Sequence, residues 1–156
     1  MKLMNRWGAR ALRLAVFALL GVAVAVPLEP GAAQAGHGTA SLLPGETLTP
    51  GQYLVAGRYR LFMQRDGNLV LYRDFARPGQ YACAASHTTA HPGSRAWMSP
   101  NGFFAVYTPQ GVPVWSTRSH TNGSRWAGGW VNILSDGRAL VFTGDGFRDY
   151  FQFWQC

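Results

Sequence analysis

The sequence has 156 residues, of which 47% are hydrophobic, 13% charged and 13% aromatic, with a formal charge of +7. That length fits one ordinary domain or two small ones, and a composition so rich in aromatics and poor in charge excludes a disordered chain. Two cysteines exclude a disulfide-dense miniprotein and a four-cysteine zinc site.

The N-terminal segment carries much of the charge. Lys2, Arg6, Arg10 and Arg13 form a basic head, and an apolar run follows over residues 14–26, ending at Pro27. Ala33-Gln34-Ala35 then supplies a small-x-small site before Gly36. This order predicts a signal peptide over residues 1–35, cleaved near Ala35, with residues 36–156 secreted. An uncleaved anchor is the alternative, but the run is short against the roughly 20 residues that span a bilayer. No second long apolar run follows, so no membrane insertion is expected after cleavage.

Residues 36–156 hold ten arginines, no lysine and six acids, a net of +4. The arginines are scattered and form no dense basic stripe, so nucleic acid is not an expected partner. Glycine or proline interrupts this part every few residues. The longest stretch without either is 80–91, which leaves little room for an amphipathic helix elsewhere. Aromatic and β-branched runs predict strands over 52–56, 59–64, 69–73, 103–107, 112–117, 130–134, 139–143 and 150–154.

Turn dipeptides expose a repeat. Asp66-Gly67, Asn101-Gly102 and Asp136-Gly137 lie 35 residues apart, each between apolar segments, as at a hairpin tip. Tyr72, Tyr107 and Phe142 recur at the same interval, as do Val70, Ala105 and Leu140. Three copies predict an all-β body of three sheets with pseudo-three-fold symmetry, closed so that few sheet edges remain. Along the first return strand, Asn68, Val70 and Tyr72 share one face, while Leu69 and Leu71 share the other. Trp115 and Trp154 are expected to help fill the axis. The first repeat has no tryptophan at the matching place, and Tyr81 or Phe75 is the expected substitute.

Around the first tip, every second residue gives the row Gln64, Asp66, Asn68, Val70, Tyr72. A neutral sugar offers hydroxyls that both donate and accept. A carboxylate, two amides and a phenol can match them, and Val70 offers apolar contact for ring carbons. Side chains two apart on a strand project the same way and can converge on one small ligand.

The row resembles the sugar-binding signature of the bulb-type (monocot, snowdrop-like) mannose-binding lectin domain. Leu43-Pro44-Gly45-Glu46-Thr47-Leu48, Gly51-Gln52-Tyr53-Leu54 and Val114-Trp115-Ser116-Thr117 resemble that family too. The likeness covers about residues 40–156. It implies a type II β-prism of twelve strands in three four-stranded sheets. It also implies that Asp66 and Asn68 hold the axial 2-hydroxyl of mannose, Gln64 the 3-hydroxyl and Tyr72 the 4-hydroxyl, with no metal or other cofactor. A vestigial site is the alternative.

The other repeats depart from the pattern. In register, the second offers Ser99, Asn101, Phe103, Ala105 and Tyr107, and the third Leu134, Asp136, Arg138, Leu140 and Phe142. Both are expected to be structural, with their aromatics packing, which leaves one intact site. Four or five hydrogen bonds netting about 1 kcal/mol each imply affinity near millimolar, so strong cell binding would need several sites on one particle. By resemblance, residues 151–154 are a candidate for strand exchange in a homodimer.

Export permits a bond between Cys83 and Cys156, which would tie the last repeat to the first. Cys156 could instead link two subunits. The family's usual bridge is absent, because Gly67 stands where one of its cysteines would. His87 and His91 are four apart, but they lack a neighbouring Glu and lie in an Ala/Thr-rich segment, so an exposed loop is expected rather than a metal site. His37 and His120 lie elsewhere. Asn122-Gly123-Ser124 has the form of a glycosylation sequon. Trp97, Trp126 and Trp130 are expected in the core, although exposed ones could stack on a glycan.

These features imply a secreted carbohydrate-binding protein that recognises mannose or mannose-containing glycans. An enzyme is not expected. A glycosidase needs two carboxylates across one cleft, and Glu46, Asp66, Asp74, Asp136, Asp145 and Asp149 fall mostly at turns. The rival reading is a lectin-like bacteriocin or an inhibitory, protein-binding prism with a vestigial sugar site.

Overall fold

The computed structural model describes residues 38–117, 126–145 and 149–156. The segment 1–35 with its cleavage site, His37, His120 and the sequon at Asn122 lie outside the described residues.

Twelve strands among the described residues form three four-stranded antiparallel sheets. They are β1 (Ser41–Leu42), β2 (Thr47–Leu48), β3 (Tyr53–Ala56), β4 (Tyr59–Met63), β5 (Leu69–Arg73) and β6 (Tyr81–Ala85). Then come β7 (Arg95–Met98), β8 (Phe104–Tyr107), β9 (Pro113–Ser116), β10 (Trp130–Ile133), β11 (Arg138–Phe142) and β12 (Tyr150–Gln155). The sheet orders are β3-β4-β5-β6, β2-β7-β8-β9 and β1-β10-β11-β12. The predicted all-β, three-sheet body is the observed one.

The alternation along each strand builds the core. Leu61 and Met63 on β4 and Leu69 and Leu71 on β5 point inward and are fully buried. Ala96, Met98, Phe104 and Val106 repeat this in the second sheet, and Val131, Ile133, Ala139 and Val141 in the third. Each large apolar side chain taken out of water contributes about 1.5–3 kcal/mol. Near the N-terminal side, the chain visits the three sheets in turn. β1 joins the third (Leu42 opposite Val131), β2 the second (Leu48 opposite Ala96) and β3 the first (Leu54 opposite Leu61). Each visit delivers one fully buried leucine, Leu42, Leu48 or Leu54.

Four strands were not legible in the sequence. β1 and β2 are two residues long and take their identity from partners far along the chain. β7 (Arg95–Met98) is a strand because it pairs with both β2 and β8. β6 occupies part of the stretch 80–91, where the sequence showed no strand pattern. Tertiary pairing overrides weak local propensity here.

The fourth strand of each sheet carries a bulge. A bulge inserts one residue and swings its neighbours. The extra residues, read from the register, are Cys83, Val114 and Phe153, and all three pack against the core.

Trp115 and Trp154 also pack there, with ring centroids 5.0 Å apart, and Phe104 and Phe153 join them. The first repeat departs from expectation. Ala84, opposite Leu71, occupies the place that Trp115 takes opposite Val106. Tyr81 is 58% exposed, and Phe75 packs on the outer face against Phe62 and Tyr72. Beside Ala84, Cys83 is bonded to Cys156, so a disulfide stands where the other repeats use rings.

At the base of the first hairpin, Arg58 donates to Asp74 through Nε (2.9 Å) and a terminal nitrogen (2.6 Å). This hydrogen bonding, helped by the charges of Arg58, Arg73 and Arg77 and opposed by desolvation, holds the Asp74 carboxyl below the usual aspartate range. A depressed carboxylate contributes stability above its unfolded value and loses it as pH falls through its folded value. An NMR titration of the Asp74 carboxyl should therefore show a midpoint below that of an unperturbed aspartate. Arg58→Gln should return it to the ordinary range.

Candidate functional site

The three hairpin tips share one backbone scheme. The amide of Gln64 donates to the Asn68 carbonyl (2.9 Å) and that of Gly67 to the Gln64 carbonyl (3.2 Å). Ser99/Phe103 and Gly102/Ser99 repeat the pair, as do Leu134/Arg138 and Gly137/Leu134. Gly67, Gly102 and Gly137 have φ of +93°, +82° and +89°. At Gly67 the demand is double, because a Cβ there would collide with the His91 carbonyl of the loop after β6. Gly67→Ala should cost at least about 2 kcal/mol, from left-handed strain plus overpacking, read as a fall in the urea midpoint.

That loop fixes the candidate row. Asn68 Oδ1 accepts from Ser86 Oγ (3.0 Å) and from the Thr88 amide (3.2 Å). The Thr88 hydroxyl donates to the Gly67 carbonyl at 2.6 Å, and Ser86 Oγ accepts the Leu69 amide at 2.9 Å. Ser86 and Thr88 are buried, at 7% and 4% exposure. Because a backbone N–H must meet the oxygen side of the amide, Asn68 keeps its NH2 group for an outside acceptor. Sequence reasoning missed Ser86 and Thr88. The signal available was a run of hydroxyl residues, Ser86, Thr88 and Thr89, in an otherwise alanine-rich stretch.

The rest of the row is distributed as follows. Asp66 is exposed, and its Oδ1 accepts the Asn68 amide at 3.0 Å. Its second carboxylate oxygen is left to accept. Gln64 lies opposite Asn68 yet donates from Nε2 to the Tyr72 hydroxyl at 2.7 Å, so the bond spans the rung that carries Val70. The Tyr72 oxygen accepts there, which leaves its proton to donate outward, and Gln64 Oε1 remains an acceptor. Gln64, Asp66, Asn68 and Tyr72 thus lie on one face. Val70 departs from its expected role. It is only 2% exposed, wedged between Phe62 and Ala85 on the flanking strands, and offers little surface to a ligand.

In the third repeat, the polar groups meet each other. Asp136 accepts from Arg138 Nε at 2.8 Å and from the Arg138 amide at 3.1 Å. The backbone bond is the chief reason the Asp136 carboxyl lies below its usual range. Trp130 stacks on Phe142 at 5.4 Å, and Leu140 is buried. The second repeat is different. Trp97 meets Tyr107 edge-on at 5.7 Å, and these rings with Ser99, Asn101 and Phe103 line a hollow of about 400 Å3. Trp126 is in the core as expected, but Trp97 and Trp130 stand half-buried on outer faces. His87 and His91 are exposed, and among the described residues no three His, Cys, Asp or Glu side chains gather to hold a metal ion.

No family model matches the chain. A mannose-specific lectin from Dendrobium findlayanum is 44% identical over 68 residues, covering 42% of this chain and 37% of its own. The chain spans between 37% and 60% of the length of the curated mannose-specific lectins it matches. Among solved structures, the mannose-specific agglutinin of snowdrop (Galanthus nivalis), complexed with methyl-α-D-mannoside, superposes with a TM-score of 0.57 at 26% identity. That match covers 66% of this chain and 88% of the agglutinin. A lectin from Allium sativum gives 0.60 at 29% identity, covering 70% and 99%. With a 35-residue repeat folded as three four-stranded sheets and the Gln-Asp-Asn-Val-Tyr row on the first of them, this chain has the type II β-prism fold of the bulb-type lectins it resembles.

Proposed function

We propose that the protein is an exported, non-catalytic lectin whose first repeat binds mannose-type sugars. One observation carries this reading. Four polar side chains on one face each retain a hydrogen-bonding group after their internal bonds are made. These are an Asp66 oxygen, the Asn68 NH2, Gln64 Oε1 and the Tyr72 proton. Two acceptors and two donors suit a row of sugar hydroxyls. The mannose-specific relatives support the choice of sugar.

Four such bonds at about 1 kcal/mol each give about −4 kcal/mol, a millimolar site. Titrating the protein with methyl-α-mannoside should move the amide signals of residues 64–72 with a millimolar midpoint. The galactoside, whose 2-hydroxyl is equatorial, should move them far less. Equal response to both sugars, or none to either, contradicts the reading.

Export rests on the leader-like segment 1–35 and on the Cys83–Cys156 bond, which suits an oxidising compartment. Mass spectrometry of the secreted protein should find Gly36 at its N-terminus. A homodimer by exchange of residues 151–154 is part of the proposal. Within one chain, β12 pairs with its own β11. An exchanged β12 would carry Cys156 to the partner's sheet, so such a dimer would be covalent and visible on non-reducing electrophoresis.

A further inference from the structure

The pseudo-three-fold places the second repeat's counterpart of the polar row on the outer face of the β2-β7-β8-β9 sheet. The chemistry there has changed. An amide has become Phe103, the carboxylate has become Asn101, and Trp97 stands where the first repeat has Phe62. These substitutions leave a hollow of about 400 Å3, within the roughly 300–1,000 Å3 usual for small-molecule sites. A second hollow of about 230 Å3 adjoins it, shares Trp97 and Tyr107, and has Arg95 and Thr47 in its wall. Together they make a cleft with an aromatic floor, an amide and a hydroxyl at one end and a guanidinium at the other.

Arg95 is the telling residue. It is half-buried and lies directly opposite Tyr107 in the β7–β8 pair. Among the described residues no carboxylate pairs with it, whereas Arg58 and Arg138 each have an aspartate. The equivalent cation of the first repeat, Arg60, is already engaged by the rings of Tyr53 (4.8 Å) and Phe75 (5.4 Å). In the third repeat Trp130 takes that position and stacks on Phe142. Among the described residues, only the second repeat sets a cation with no carboxylate partner beside an aromatic-walled hollow. Burial pushes the Tyr107 phenol up from its ordinary value against the opposing pull of Arg95, so Tyr107 remains a neutral donor at the junction of the two hollows.

We propose that this cleft binds an acidic glycan, with one sugar ring stacked on Trp97 between Phe103 and Tyr107 and the next carrying a carboxylate or sulfate to Arg95. Aromatic walls recognise a ring by its C–H face rather than by its hydroxyls. That favours an all-equatorial pyranose over one with an axial hydroxyl, the opposite preference to the one proposed for the first repeat. A planar guanidinium pairs with a carboxylate or sulfate through parallel, charge-assisted hydrogen bonds. The inference stands on the second repeat alone and does not require the first repeat to bind mannose.

A matched pair of ligands tests it. Cellobiose and cellobiuronic acid share two β-linked rings and differ by one carboxylate. In NMR titrations at low salt, both should shift the Trp97 indole signal, and the acid should bind about tenfold more tightly. Arg95→Gln should reduce the acid to the level of cellobiose. Trp97→Ala should abolish both, with Trp97→Phe weakening both if the alanine variant does not fold. Asp66→Ala should leave both titrations unchanged while removing the mannoside response, which separates this site from the first. Absence of any Trp97 shift, equal binding of acid and neutral sugar, or loss of the acid response in Asp66→Ala overturns the proposal. A sulfated disaccharide that binds as the acid does supports recognition of charge, and one that does not bind confines the site to carboxylates.

Discussion

Asp66→Ala should abolish detectable mannoside binding while leaving the fold almost intact. Asp66 is exposed, and its one internal bond is to the adjacent Asn68 amide, which can turn to water instead. Its free oxygen is the charged acceptor of the row. A hydrogen bond to a charged group is worth about 1.5–3 kcal/mol, close to half of a millimolar site's total of about 4 kcal/mol. The expected loss is therefore tenfold to a hundredfold, enough to put saturation out of reach. Asn68→Ala should remove binding as well, by a different route. Its Oδ1 satisfies Ser86 and the Thr88 amide in a buried setting, so the variant should also lose about 1–3 kcal/mol of stability. Mannoside titration beside urea unfolding separates the two effects. Unchanged affinity in Asp66→Ala would remove the row as the site.

Loss of the disulfide should have the largest effect on stability. Cys83 and Cys156 are 73 residues apart, and their bond ties the fourth strand of the first sheet to the end of the fourth strand of the third. In the chain-entropy picture, opening a loop of that length restores about 4 kcal/mol of freedom to the unfolded chain. For a domain of this size, the Cys83→Ala/Cys156→Ala variant should melt more than about 10 °C lower. Affinity for the mannoside should hold in the folded fraction, because neither cysteine belongs to the row. An unchanged melting temperature would mean that the rings of Trp115, Phe153 and Trp154 close the prism without covalent help.

Local pattern made much of this fold legible. The runs 59–64 and 69–73 became β4 and β5, because Leu61, Met63, Leu69 and Leu71 alternate with polar or outward residues and a glycine tip lies between them. What stayed hidden depended on distant partners. Ser41–Leu42 and Thr47–Leu48 are strands only because β10 and β7 lie beside them. The same limit applied to Ser86 and Thr88. Their hydroxyls matter because a hairpin 17 to 21 residues earlier needs them, and that need has no local signature. The hollow of the second repeat was hidden for a related reason. A residue list shows that Phe103 and Trp97 are apolar, but not whether their rings meet or stand apart around a space.

By itself, the sequence determined the repeat length, the three tips, the all-β class and the identity of the polar row. Each of these rests on periods of 2 and 35 that side chains impose on their own neighbours. Tertiary structure decided which amide oxygen of the row is occupied, that Val70 is covered, that a disulfide takes the place of a ring, and that one repeat encloses a cleft. Those outcomes depend on groups brought together across the three sheets, where burial, close packing and shared hydrogen bonds act between residues that are distant in the chain.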